Sequence, residues 1–125
     1  MSEVHKVCFR FHVAIELIGA KWAGAVLRSL FTGAQRFADI KASIPLITDT
    51  MLTQRLRDLE EAGLIVRRVV PSSPVRVEYE LTESGRELEP IFETVIAWSH
   101  RWIPLPKGDN DKDSHERRGT SKAST

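Results

Sequence analysis

Seventeen residues in the middle of the chain, Thr48 to Leu64 (TDTMLTQRLRDLEEAGL), restrict the fold more than any other stretch. With Leu52 at zero and about 100° of turn per residue, Leu56 falls at about 40° and Leu59 at about −20°, one narrow apolar stripe. Opposite it lie Arg57 at about 140°, Thr50 at about 160° and Gln54 at about 200°, with Thr53 at the margin at about 100°. Thr48 offers a hydroxyl N-cap, Asp49 places a favourable charge in the first turn, and Gly63 takes the left-handed backbone that stops a helix. The stretch predicts a well-delimited helix that buries one side and shows hydrogen-bonding groups on the other.

Its neighbours decide what such a helix is for. Arg36 to Ser43 (RFADIKAS) predicts a short helix with Phe37 and Ile40 on one side, and Ile44 to Ile47 predicts a tight connection broken by Pro45. Helix, short turn and second helix form the helix-turn-helix plan. Leu64 to Val70 and Val75 to Leu81 follow as β-branched runs. The second alternates Val75, Val77, Tyr79 and Leu81 with Arg76, Glu78 and Glu80, and Pro71, Ser72, Ser73 and Pro74 mark the turn between the runs. A hairpin directly after the second helix is a wing. The expected class is mainly α with a small β-hairpin (α+β), a winged helix-turn-helix.

A chain of 125 residues suits one small domain, placed here at residues 1–106, and a second copy often completes so modest a core. Residues 107–125 (KGDNDKDSHERRGTSKAST) lack aromatics and predict a disordered polar tail. The formal charge is +1, and up to Pro106 thirteen Lys or Arg face thirteen Asp or Glu, so any affinity for nucleic acid must come from where charges sit. They segregate: Arg36, Lys41, Arg55, Arg57, Arg67, Arg68 and Arg76 fall in the two-helix and hairpin region, and Glu83, Glu87, Glu89 and Glu93 in the segment after it. No stretch reads as a signal peptide or a bilayer span, and the single Cys8 makes no internal disulfide, so the expectation is a cytoplasmic protein with no membrane partner.

The flanking segments predict further helices. Phe11 to Phe31 places Ile15, Ile18, Trp22, Val26 and Leu30 at three-to-four spacing, a core stripe interrupted at Gly19, with the well-formed helix starting near Lys21. Thr82 is expected to cap a last helix from Glu83 to about Trp102, whose apolar set, Leu88, Ile91, Phe92, Val95, Ile96, Trp98 and Trp102, covers more than one stripe. Such a surface predicts dimerisation through the terminal helices. Trp22 and Trp98 mark a candidate ligand pocket.

Catalysis finds no support in the pattern. No Gly-rich phosphate loop, no glutamate–histidine metal helix and no nucleophile elbow occurs, so no catalytic residue, cofactor or metal is expected. His5, Cys8 and His12 form a spacing open to a metal, but three ligands in a terminal segment are a weak signal.

The chain resembles the HxlR-type family of bacterial winged helix-turn-helix transcriptional regulators, relatives of the MarR group, over roughly Cys8 to Trp102. The resemblance rests on Ile18-Gly19-Ala20-Lys21-Trp22, on Arg36-Phe37-Ala38-Asp39-Ile40, on Met51 through Glu60, and on the wing from Arg67 to Thr82. It implies a homodimer that binds paired half-sites of a double-stranded DNA operator and, in some members, answers an oxidant, an electrophile or a small aromatic effector through a cysteine near the amino terminus. The chain departs from the family pattern at Phe9, where Pro is common after the cysteine, at Ala20, where Gly is common, and at Thr50, where many members carry a basic residue.

Resemblance and residue chemistry converge on one surface. In a DNA reader, Arg57 is the first candidate for a base-edge or phosphate contact, and Gln54 for adenine. Thr50 and Thr53 set position or touch a thymine methyl, and Thr48 fits a phosphate at the helix N-terminus. Arg76 tracks phosphate or the minor groove near the wing tip, and of the adjacent Arg67 and Arg68 only one is expected to face outward. Arg55, beside the apolar stripe, reads as an internal ion-pair partner. Cys8 has two readings: a redox sensor, since Lys6, Arg10, His5 and His12 lie close in sequence and positive charge favours thiolates, or a small apolar filler. A winged helix used only for protein contact is the competing function.

Overall fold

The computed structural model describes residues 6–106. Six helices and one hairpin occur among them: α1 (Phe9–Ile18), α2 (Ala23–Phe31), α3 (Phe37–Ser43), α4 (Asp49–Glu61), β1 (Ile65–Val70), β2 (Arg76–Leu81), α5 (Glu83–Arg86) and α6 (Glu89–Trp102). The chain divides into two compact units, one ending at Glu87 and the other beginning at Leu88.

The core of the first unit is apolar and centred on α4. Leu52, Leu56 and Leu59 are fully buried where α4 packs on α2, which buries Val26, Leu27 and Leu30, and on β1, which starts at the buried Ile65; α3, with Ile40 buried, packs on α2. The connection between α3 and α4 anchors itself at its two ends: Ile44 and Ile47 are buried, whereas Pro45 and Leu46 between them are exposed. Ile47, just before the N-cap, and Leu52 in the second turn are both buried, the positions of a hydrophobic staple that fixes the angle at which the chain enters α4.

Both ends of α4 form as the residues predict. Thr48 Oγ1 accepts the N–H of Met51 at 3.1 Å. At the other end Gly63 adopts φ +79°, so that Leu64 N–H reaches the Leu59 carbonyl and Gly63 N–H the Glu60 carbonyl, both at 3.0 Å. This double bond pattern closes the helix and turns the chain straight into β1.

The hairpin is antiparallel, pairing Ile65 with Leu81 and Val70 with Arg76. Its free edge is partly covered, because Tyr79 N–H donates to the Gln35 carbonyl at 2.8 Å in the link between α2 and α3. Its root is bolted to the end of α4: Thr82 N–H donates to the Leu64 carbonyl at 3.0 Å and Thr82 Oγ1 to the Gly63 carbonyl at 2.6 Å.

Two expectations change. The Ile15 to Leu30 stripe is interrupted at Gly19 as expected, but its first part is not core and its second starts later than Lys21. The chain breaks after Ile18, Trp22 takes φ +73°, and α2 begins at Ala23 rather than near Lys21. The break turns α1 out of the core, and no residue of α1 is buried. The helix expected from Glu83 to Trp102 is also two helices. Pro90 has no N–H to give the Arg86 carbonyl, and its ring would clash there, so α5 stops at Arg86 and α6 restarts with Pro90 in its first turn.

Along α6 the apolar residues fall into two rows. Leu88, Phe92 and Ile96 are half-buried, while Ile91, Val95, Trp98 and Trp102 are exposed. Residues 1–5 and the tail at 107–125 lie outside the described residues, as does His5.

Candidate nucleic-acid interface

Helix α4 presents the expected polar face. Thr48, Thr50, Thr53, Gln54 and Arg57 are all exposed, on the side opposite the buried leucines. Arg57 has no ion pair or side-chain hydrogen bond among the described residues, so its five N–H donors are available to an incoming acceptor.

Gln54 is oriented. Its Nε2 donates to Asp58 Oδ1 at 2.9 Å, one helical turn on, leaving Oε1 and the second N–H outward. Asp58 is itself held: Arg55 donates to its other oxygen at 2.6 Å and, through Nε, to the Lys21 carbonyl at 2.8 Å. Arg55 is therefore the internal partner its position beside the stripe predicts, and it ties α4 to the connection between α1 and α2. The role of Asp58 was legible only as i,i+4 spacing to Gln54.

At the amino end of α4, Lys41 Nζ pairs with Asp49 at 3.0 Å. In the wing, strand alternation separates the two adjacent arginines. Arg68 shares a face with Val66 and Val70 and pairs with Glu80 at 2.9 Å. Arg67 lies on the opposite face, without an ion pair among the described residues, and both arginines are exposed, so the expectation that only one faces outward does not hold: a two-stranded wing leaves both of its faces open here. Arg76, the first residue of β2, lies 3.4 Å from Glu78, and its Nε is buried without a hydrogen bond. The hairpin thus holds one arginine free and two close to glutamates.

Away from this face, Cys8 is exposed at the amino end of α1, so it is not a filler of the core. Trp22 lines a shallow cleft of about 380 Å³ with Ala25, Arg28, Ile44 and Pro45, while Trp98 stands half-exposed on α6 in the second unit. No group of three metal-ligating side chains occurs among the described residues, and none of their helices is long and apolar enough to cross a membrane.

A recognition-type helix with an unpaired arginine on its outer face, and a wing rooted on its carboxyl end with another, are the parts of a DNA reader. Comparison with known proteins gives the relationship: the profile of HxlR-like helix-turn-helix proteins matches residues 17–107. The chain belongs to the HxlR-like helix-turn-helix family. It is 37% identical over 98 residues to the HTH-type transcriptional regulator YvaP of Bacillus subtilis (strain 168), covering 78% of this chain and 91% of YvaP. It is 36% identical over 96 residues to the HTH-type transcriptional regulator YodB of the same organism, covering 77% of this chain and 86% of YodB. Among solved structures, the reduced form of YodB superposes with a TM-score of 0.70 over 78% of this chain and 96% of that one. The redox regulator HypR in its oxidised form, 36% identical, gives 0.71 over 77% and 99%. As an HxlR-type protein the chain is a DNA-binding transcriptional regulator of winged helix-turn-helix fold, and its relatives are regulators rather than enzymes.

Proposed function

We propose that this HxlR-type regulator acts as a cytoplasmic homodimer whose two α4 helices enter successive major grooves of a paired operator, and that oxidation at Cys8 changes its occupancy. The observation that carries the DNA reading is the outer face of α4, where Arg57 is exposed and unpaired beside an oriented Gln54. In this reading Arg57 contacts a guanine edge or a phosphate, and Gln54 an adenine. Thr50 and Thr53 set the depth of entry, and Thr48 sits at a phosphate. Arg67, Arg68 and Arg76 follow the backbone or the minor groove along the wing, with Arg67 the most available of the three.

Dimerisation is supported by α6. Its exposed row, Ile91, Val95, Trp98 and Trp102, is spaced four, three and four residues apart, the seam of a helix that pairs with another helix. Two recognition helices held about 34 Å apart meet successive grooves on one side of the duplex. Redox control is supported by the exposure of Cys8 and by the likeness to YodB and HypR. With one cysteine per chain, the simplest product is a bridge between subunits, formed as two thiols give up two protons and two electrons to an oxidant. The cleft at Trp22 is the candidate seat for a small aromatic effector.

Footprinting on the DNA upstream of the protein's own gene, with and without the thiol oxidant diamide, tests the reading. A protected inverted repeat, altered by diamide in the native protein but not in Cys8→Ser, supports both parts. Protection indifferent to diamide removes the redox part, and absence of protection at moderate salt with and without oxidant removes the DNA part.

A further inference from the structure

Leu46 combines two properties that do not belong together in a residue without a task. It is 91% exposed, the largest exposure among the large hydrophobic side chains of the described residues. Its backbone is left-handed, φ +73°, a conformation that disfavours every side chain with a Cβ and leucine more than asparagine or glycine. A leucine here holds the fold together no better than glycine would, since Ile44 and Ile47 on either side supply the anchoring. Strain kept at an exposed position points to a contact made outside the chain.

The place of Leu46 says which contact. It stands two residues before Thr48, the N-cap of α4, and amino-terminal residues of a recognition helix are the ones that reach base edges. Leucine carries no group that pairs with a phosphate, whereas its apolar side chain suits deoxyribose C–H groups and the C5-methyl of thymine. Resting on the DNA-reading role of α4 given above, we propose that Leu46 is an operator-contacting residue whose side chain packs against a deoxyribose or thymine methyl at the edge of the groove that α4 enters.

The test uses the full chain and a duplex selected by the native protein from a randomised pool. Leu46→Gly removes the side chain and the backbone strain together. Its thermal midpoint is expected to equal or exceed that of the native protein, while its affinity for the selected duplex falls on the order of tenfold, what losing about half of a leucine's burial is worth. Leu46→Asn, which tolerates the backbone, loses affinity in the same way, and Leu46→Met regains it. Replacing thymines of the duplex one at a time by uracil separates the sources: one position that weakens the native protein but not Leu46→Gly identifies a methyl contact, and indifference at every position identifies the sugar. Native affinity in Leu46→Gly, or a clear drop in its midpoint, overturns the proposal and leaves the regulator reading intact. If the native protein selects no sequence, the DNA reading itself fails and takes this contact with it.

Discussion

Gly85 offers the sharpest test of how this fold is held. It is buried in α5, and a Cβ built on it would lie 2.1 Å from the carbonyl oxygen of Leu64 and 3.1 Å from the carbonyl carbon. Ordinary contact begins at 3.4 Å, so Gly85→Ala must push α5 and the start of the hairpin apart by roughly 1.3 Å. The obstruction is backbone, and the same carbonyl accepts the Thr82 N–H that roots the wing. Overpacking of this kind typically costs about 1–3 kcal/mol, and weakening the Thr82 bond adds about 1, for a total of about 2–4 kcal/mol. In a unit of this size that lowers the thermal midpoint by about 10–25 °C. Gly33 is the control: its φ is +112° but nothing lies within 4 Å of a Cβ there, so Gly33→Ala carries only the left-handed penalty, about 1–2 kcal/mol. Thermal melts followed by circular dichroism, with urea titrations as a second measure, compare the two variants. A Gly85→Ala protein melting within about 2 °C of the native one, or one no worse than Gly33→Ala, refutes the reasoning.

Three further outcomes are expected. Arg57→Ala weakens specific DNA binding by about 1–3 kcal/mol in a mobility-shift titration, with the sedimentation profile of the protein unchanged. Asp58→Ala releases Gln54, while Arg55 keeps its bond to the Lys21 carbonyl, so the preference for the base that Gln54 is proposed to read falls, measured as the ratio of Kd values for duplexes differing at that one pair. Lys41→Ala breaks a pair whose side chains are 43% and 72% exposed, and it changes stability by less than about 1 kcal/mol in urea titration.

Where one residue governs its own surroundings, the sequence was enough. Leu52, Leu56 and Leu59 can share a stripe only on a helix, Thr48 and Gly63 close its two ends through groups within five residues, and alternation in the hairpin places Arg67 and Arg68 on opposite faces. The outer face of α4 followed directly, and with it most of the candidate site. What was not legible depends on atoms distant in sequence or on backbone choices. The Arg55 bond to the Lys21 carbonyl spans 34 residues, and it decides that Asp58 is fixed enough to orient Gln54. The loss of a helical bond at Pro90 split a helix whose apolar spacing alone ran on, and the left-handed turn at Trp22 moved the start of α2 two residues past Lys21, although the interruption at Gly19 was legible. Leu46 carries no sequence signal for a left-handed backbone, since leucine is among the residues least suited to it.

The bolts at the root of the hairpin set where this molecule yields when it meets DNA. Thr82 donates to both Gly63 and Leu64, and Ser84 Oγ donates a second bond to the Gly63 carbonyl at 3.1 Å, so the end of α4 and the base of the wing are one stiff corner. The separation between α4, the helix proposed to enter a groove, and the wing strands is thereby a fixed gauge. A duplex whose neighbouring grooves do not match it must bend or change its twist, and step flexibility at base pairs that no side chain touches then enters operator choice.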